Sequence, residues 1–227
     1  MLSRGTTGRR FWLAVAIAAI GLMAYAAFAL AADSITAIDD AYNAPTYTIN
    51  QGERPNFTNG GALQHNVTAQ ANGPDKRALF STPTLDGGQQ ALVEGTQYLT
   101  AGTYTFFCTI HPTQMQATLH VTGAGTPQAR PSATLKGKKT SVAKAIKKGV
   151  LVNINASTKI DGAALTLKLG KATVGKATLS LAAGPQTDRV NLNKTGKSKL
   201  RHKSKAKLGV SANIPFGFPA SGKVKLG

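Results

Sequence analysis

One cysteine, nine carboxylates and a single tryptophan in 227 residues exclude several things at once. Cys108 has no partner in the chain, so no internal disulfide can staple a small domain. The only tryptophan, Trp12, falls in an apolar run near the start, and aromatics make up 6% of the chain, which offers nucleic-acid bases little to stack on. Four histidines are too few to bind several metal ions through imidazole pairs. Of the three methionines only Met115 lies beyond the first 32 residues, which argues against an open methionine-rich metal carrier. Helical patterning is scarce after that point.

Charge divides the chain unevenly. From Asp33 to Pro127 there are seven acidic and three basic residues; from Gln128 to Gly227 there are two and twenty-one. The whole-chain charge of +18 therefore describes the second half and the N-terminus. That N-terminus reads as an export signal: Arg4, Arg9 and Arg10 precede an apolar run from Phe11 to Ala32, which ends in the small-x-small pattern Ala29-Leu30-Ala31. An uncleaved N-terminal anchor is the alternative, because the run is about the ~20 residues a membrane span needs. Either way the rest of the chain is expected outside the cytoplasm.

Past the signal the pattern is all-β. Short β-prone runs, among them Tyr47-Thr48-Ile49, His65 to Ala69, Ala91 to Glu94, Tyr98 to Thr100, Gly102 to Cys108 and Ala117 to Val121, are separated by Gly, Asn, Pro and Asp. Asn59-Gly60-Gly61 is a strong turn signal, and Ala71 to Gln90 reads as loop with a short element at Ala78 to Phe80. Tyr104 and Phe106 alternate with Thr103, Thr105 and Phe107, giving the run into Cys108 one core face. This divides the chain into a signal over 1–32, a β-sandwich over 33–122, a Gly/Thr/Pro linker over 123–133 and a lysine-rich β-sandwich over 134–227. In the last of these, Val150 to Ile154, Ala163 to Leu169, Ala177 to Leu181, Arg189 to Leu192 and Ala206 to Ile214 read as strands, and Thr140 to Lys148 as a short helix or a polar edge.

Cys108, His111 and Met115 share one loop between two predicted strands, and His65 lies upstream beside a turn. A soft thiolate and two imidazoles hold copper in roughly trigonal fashion, with a weak thioether above the plane. Phe106, Phe107, Ile110 and Pro112 would keep such a site dry and rigid. Cys-His-His donors also suit zinc, but no acidic residue close to the loop could serve as a base. A cysteine nucleophile activated by His111 would sit in an unusual strand-loop-strand setting fixed by Pro112. His120 falls on the polar side of the alternation Leu119-His120-Val121, and His202 lies alone among lysines.

The stretch from Thr103 to Val121, TYTFFCTIHPTQMQATLHV, resembles the closing ligand loop of the cupredoxin family, and FTNGGALQHNV from Phe57 to Val67 resembles its upstream histidine segment. The resemblance implies a Greek-key β-sandwich with one type 1 copper, held by His65, Cys108 and His111 with Met115 axial, and no catalytic residues. It also implies that His111 is the route for electrons and that Asn66 ties the two ligand segments together by hydrogen bonds. Three residues separate His111 from Met115, a spacing between the family's shorter and longer loops, and Ala117 stands where glycine is common. Gln114 or Gln116 therefore remains an alternative axial donor.

Ala156 to Leu200 resembles small bacterial envelope β-domains of immunoglobulin-like build, a likeness that names no ligand. The expected function is an exported blue copper electron carrier, not an enzyme, partnered by a redox protein. Its basic domain would associate with an anionic cell-wall polymer, a membrane surface or that partner; nucleic acid is not expected. The competing expectation is an envelope-binding or copper-carrying protein that uses a cupredoxin-like domain without redox turnover.

Overall fold

The computed structural model describes residues 34–227. The apolar N-terminal run and its cleavage pattern lie outside these residues. Turn residues cut the chain before residue 126 into β1 (Ile35–Ile38), β2 (Ala41–Tyr42), β3 (Thr46–Gln51), β4 (Asn56–Asn59), β5 (Thr68–Ala69), β6 (Gln90–Leu92), β7 (Gly102–Phe107) and β8 (Gln116–Gly125). They build two four-stranded sheets, in the orders β2-β1-β4-β6 and β3-β8-β7-β5. β1 runs parallel to β4 and β3 parallel to β8, and parallel neighbours cannot be joined by a tight turn. Accordingly every connection from β2 to β7 changes sheet; only β1–β2 and β7–β8 are hairpins.

Period-2 burial fills the space between the sheets. Ile35 and Ala37 of β1, Tyr47 and Ile49 of β3, Phe57 of β4 and Leu119 and Val121 of β8 all point into one core. Phe106 lies at its centre, with the rings of Tyr42, Tyr47 and Phe80 at 5.0, 6.0 and 6.1 Å.

Three local expectations change. The Tyr98 to Thr100 segment is no strand: Thr96–Tyr98 is a turn of 3-10 helix. There Gln97 Oε1 accepts from Gly95 N–H and Thr96 Oγ1 donates to the Val93 carbonyl, so side chains satisfy backbone groups a ladder would otherwise need. Ala78 to Phe80 makes only a single bridge, Asn72 to Ala78. β8 runs to Gly125, past the expected start of the linker, because Gln51 of β3 still pairs with Gly125 across a register shift.

The second half contains β9 (Ala133–Gly137), α1 (Val142–Lys148), β10 (Val150–Ala156), β11 (Ile160–Leu169), β12 (Ala172–Leu181), β13 (Gly184–Val190), α2 (Lys194–Leu200), β14 (Ala206–Asn213) and β15 (Ala220–Leu226). Sheets ordered β13-β10-β9 and β12-β11-β14-β15 enclose their own core of Val150, Val152, Ile154, Leu165, Leu167, Leu208, Val210 and Val224. The helical reading of residues 140–148 holds: Ser141 accepts from Lys144 N–H, and Gly149 at φ 80 ends α1. The lysine run from residue 194 is also helical at its start, which its composition hides. Asn193 caps it by accepting from Gly196 N–H at 2.8 Å, and Leu200 is buried beneath it.

The described residues form one compact unit despite the two cores. Asp75 of the first half and the Asn213–Phe216 segment of the second are joined by hydrogen bonds, and Gln128 N–H donates to the Gln97 carbonyl at 2.8 Å.

Candidate metal centre

The β7–β8 hairpin makes most of the site. Its last ladder pair is Phe107 with Gln116, and Cys108 N–H then donates to the Met115 carbonyl at 3.1 Å. Met115 N–H donates to the His111 carbonyl at 2.9 Å, which curls the loop back over itself. Cys108 and Met115 thus face each other at the neck, and His111 returns from the tip. Gln116 Nε2 donates to the Pro112 carbonyl at 2.9 Å, and Gln114 Oε1 accepts from Thr113 Oγ1 at 2.7 Å. Both glutamines are exposed while Met115 is 0% exposed, so the loop presents its thioether to the interior and its amides to solvent.

His65 comes from a two-way bridge with Leu85: each N–H donates to the other's carbonyl, at 3.0 and 2.8 Å. Buried Asn59 organises the turn before it. Its Nδ2 donates to the Leu63 and Leu85 carbonyls, and its Oδ1 accepts from Gly61 N–H. Asn66 then carries out its expected tie. Its Oδ1 accepts from Thr109 N–H at 3.0 Å and its Nδ2 donates to Thr109 Oγ1 at 2.7 Å, which links the residues after the two ligand positions.

These elements converge. Donor atoms of His65, Cys108 and His111 lie within 4.8 Å of one another. Cys108 Sγ is 3.9 Å from His65 Nδ1, and the two imidazole rings are 5.0 Å apart at 50°. His65, Cys108 and Met115 are inaccessible, and the His111 side chain is 20% exposed. His65 Nε2 and His111 Nδ1 are buried without a hydrogen-bond partner. An orphaned buried polar atom costs about 1–3 kcal/mol; the unpaired His111 Nδ1, in one cluster with the Cys108 thiol and the His65 Nδ1 that faces it, suits a site whose lone pairs are meant for an ion. His120 and His202 are exposed and lie outside the cluster.

Electrostatics agree with a ligand role. Burial, and then the neighbouring His111, push the His65 imidazole below its ordinary pKa, against an opposite pull from Asp40 and Asp39. A neutral imidazole is the form that binds a metal. Burial drives the Tyr42 phenol far above its usual range, with Cys108 and Tyr47 adding to the effect, so it remains a donor, to the Asn66 carbonyl at 2.7 Å.

Sequence reasoning missed Asn59, Tyr42 and Asp40. The Asn59-Gly60-Gly61 turn was legible, but not that the asparagine side chain is its buried keystone. Asp39-Asp40 is legible as a turn too, yet nothing in the spacing links it to His111, whose Nε2 is 3.5 Å from Asp40 Oδ1.

Residues 32–122 match the model of copper binding proteins of the plastocyanin/azurin family. No curated protein matches the chain. Among solved structures the chain is similar to a reduced point mutant of amicyanin, 28% identical, covering 40% of this chain and 81% of that one, with a TM-score of 0.34. It is also similar to a purple cupredoxin from Nitrosopumilus maritimus, 22% identical over 40% of this chain and 100% of that one, TM-score 0.32. A copper-containing nitrite reductase from Thermus scotoductus is 21% identical over 39% of this chain and 21% of that one, TM-score 0.32.

Proposed function

Residues 32–122 are a cupredoxin domain of the plastocyanin/azurin copper-binding family, and from that premise we propose that the chain is an exported single-electron carrier with one type 1 copper. The observation that carries the reading is the convergence of His65, Cys108 and His111, with an inaccessible Met115 in the same loop as two of them. Copper bound there would supply a Cu(II)/Cu(I) couple.

The chain's own residues do the rest. Cys108, His65 and Met115 exclude water, and the paired backbone bonds between Cys108, Met115 and His111 hold the donors in one arrangement. A fixed, dry donor set has little to rearrange when the ion changes charge. Met115 would supply the fourth, weak thioether donor, because both competing glutamines are exposed while its side chain is inaccessible. His111 is the only one of the four side chains that reaches the surface, so its ring edge is the route for electrons. Exposed Ile38, Leu63 and Ile110 lie one or two residues in sequence from Asp40, His65 and His111, and exposed apolar side chains there would suit brief docking of a redox protein.

The function is electron transfer, not catalysis, and export rests on the N-terminal sequence pattern. Among the described residues no helix is long and apolar enough to cross a membrane. The lysine-rich half would hold the carrier near an anionic cell-wall polymer, membrane surface or partner through a long-range positive field. One experiment tests the core of this: add one equivalent of Cu(II) to the purified chain and record visible absorption and EPR. An intense thiolate-to-copper band with narrow copper hyperfine splitting, lost in Cys108→Ser, supports the carrier. Tetragonal copper indifferent to Cys108 overturns it.

A further inference from the structure

The β1–β2 turn belongs to no ligand segment, yet it delivers a carboxylate to the metal centre. Ile38 pairs with Ala41, so Asp39 and Asp40 form a two-residue turn, with Asp39 at φ 46. Gly61 lets this turn close on the site. A Cβ there would fall 2.6 Å from Asp39 N and 3.3 Å from His65 Nε2, so only glycine fits between the acidic turn and the buried imidazole. Asp40 Oδ1 comes to rest 3.5 Å from His111 Nε2, while Nδ1 of the same ring is buried and unpaired. No lysine or arginine pairs with Asp40 among the described residues.

A carboxylate only accepts hydrogen bonds. It therefore favours the tautomer with the proton on Nε2, which leaves the lone pair on buried Nδ1 free to bind. Metal-ligating histidines are commonly oriented this way, through a partner on the second nitrogen that also raises the ligand's basicity. We propose that Asp40 is a positioning residue of the metal centre, fixing the His111 tautomer and, by its negative charge against the ring, favouring the oxidised ion and lowering its reduction potential. The inference rests on the copper reading above. Because the Asp40 side chain is 63% exposed, solvent and salt screen part of the effect.

The test is spectroelectrochemistry of the copper-loaded full chain as wild type, Asp40→Asn and Asp39→Asn, at low and high ionic strength. Asp39→Asn removes the same charge one residue away without touching His111. Asp40→Asn is expected to shift the oxidised-to-reduced preference by about tenfold, the low end for such partners. That raises the potential by about 59 mV for one electron. Asp39→Asn should move it far less, and the Asp40 shift should shrink in salt without vanishing. Direct titration should show Asp40→Ala binding Cu(II) about tenfold more weakly than wild type. Equal shifts in both asparagine variants, or none in either, would overturn the proposal while a normal thiolate band keeps the copper reading intact. A wild type with no such band would sink both.

Discussion

Asn66 holds Thr109 with both ends of its amide, Nδ2 donating to the hydroxyl at 2.7 Å and Oδ1 accepting from the backbone N–H at 3.0 Å. Since these residues directly follow His65 and Cys108, the pair sets the distance between two ligand segments that are remote in sequence. Thr84 and Thr68 complete the amide's valence, at 3.1 and 3.2 Å. Asn66→Ala strands the Thr109 N–H and should cost about 2–3 kcal/mol, whereas Thr109→Ala loses one bond and should cost about 1 kcal/mol. Denaturant unfolding of the metal-free chain measures both. Thr109→Ala proving the more harmful would mean that the amide is not the tie.

Tyr42 gives the molecule a testable alkaline limit. Its phenol is held far above the ordinary value near 10 by burial first, then by Cys108 and Tyr47. Above pH ~10 the unfolded chain loses that proton and the folded chain keeps it, so the folded state binds more protons and stability falls as pH rises. Below that pH the contribution is fully present. Tyr42→Phe should be about 1 kcal/mol less stable at neutral pH, because the Asn66 carbonyl loses its donor. Between pH 9.5 and 11.5 it should lose less stability than wild type, the difference in slope approaching about 1.4 kcal/mol per pH unit. Parallel pH curves would show that Tyr42 ionises as readily folded as unfolded.

Met115 can be separated from ordinary core filling. A harder oxygen donor favours Cu(II), and removing the thioether without replacement favours Cu(I). Met115→Gln should therefore lower the potential of the loaded protein, and Met115→Leu should raise it at a stability cost under about 1.5 kcal/mol. Cyclic voltammetry beside the visible spectrum reads both. If Met115 only fills space, the leucine variant will leave potential and spectrum where they were.

How much of this was readable from the sequence follows from the range of the signals. Cys108, His111 and Met115 share one short loop and an alternating strand enters it, so spacing alone brings three donors together. His65 was placed with them by chemistry and resemblance, and the Leu85 bridge that positions it is invisible as a motif because Leu85 lies in a loop without periodicity. Asp40 and Asn59 act through tertiary contacts that leave no local mark. Tyr98 to Thr100 was misread as a strand because Tyr and Thr favour strands, while the Gln97 and Thr96 side chains just before it bond to nearby backbone and set a 3-10 turn over Thr96–Tyr98. α2 was hidden because four of its seven residues are Lys or Gly, and its cap, Asn193, lies just outside the run.

A buried carboxylate, Asp75, is one of the links between the two β modules. Asp75 Oδ2 accepts from Phe216 N–H at 3.0 Å, its Oδ1 accepts from Arg77 N–H at 3.2 Å, and its carbonyl accepts from Asn213 Nδ2 at 3.3 Å. Gly95 leaves room for the Phe216 ring, since a Cβ there would meet it at 2.8 Å. Arg130 donates to the Phe216 carbonyl at 2.8 Å and lies over the Tyr98 ring at 5.6 Å, so this residue of the connecting segment touches both modules. Asp75→Ala leaves the half-buried Phe216 N–H unpaired, worth about 1 kcal/mol at the junction, while each module keeps its own core. Limited proteolysis of the full chain should then cut faster between Gln128 and Ser132, with the thiolate-to-copper band unchanged. Arg130→Ala should show the same pattern more weakly. If cleavage in both variants stays at the wild-type rate, the modules are held by their apolar contacts, and the carboxylate is incidental to the joint.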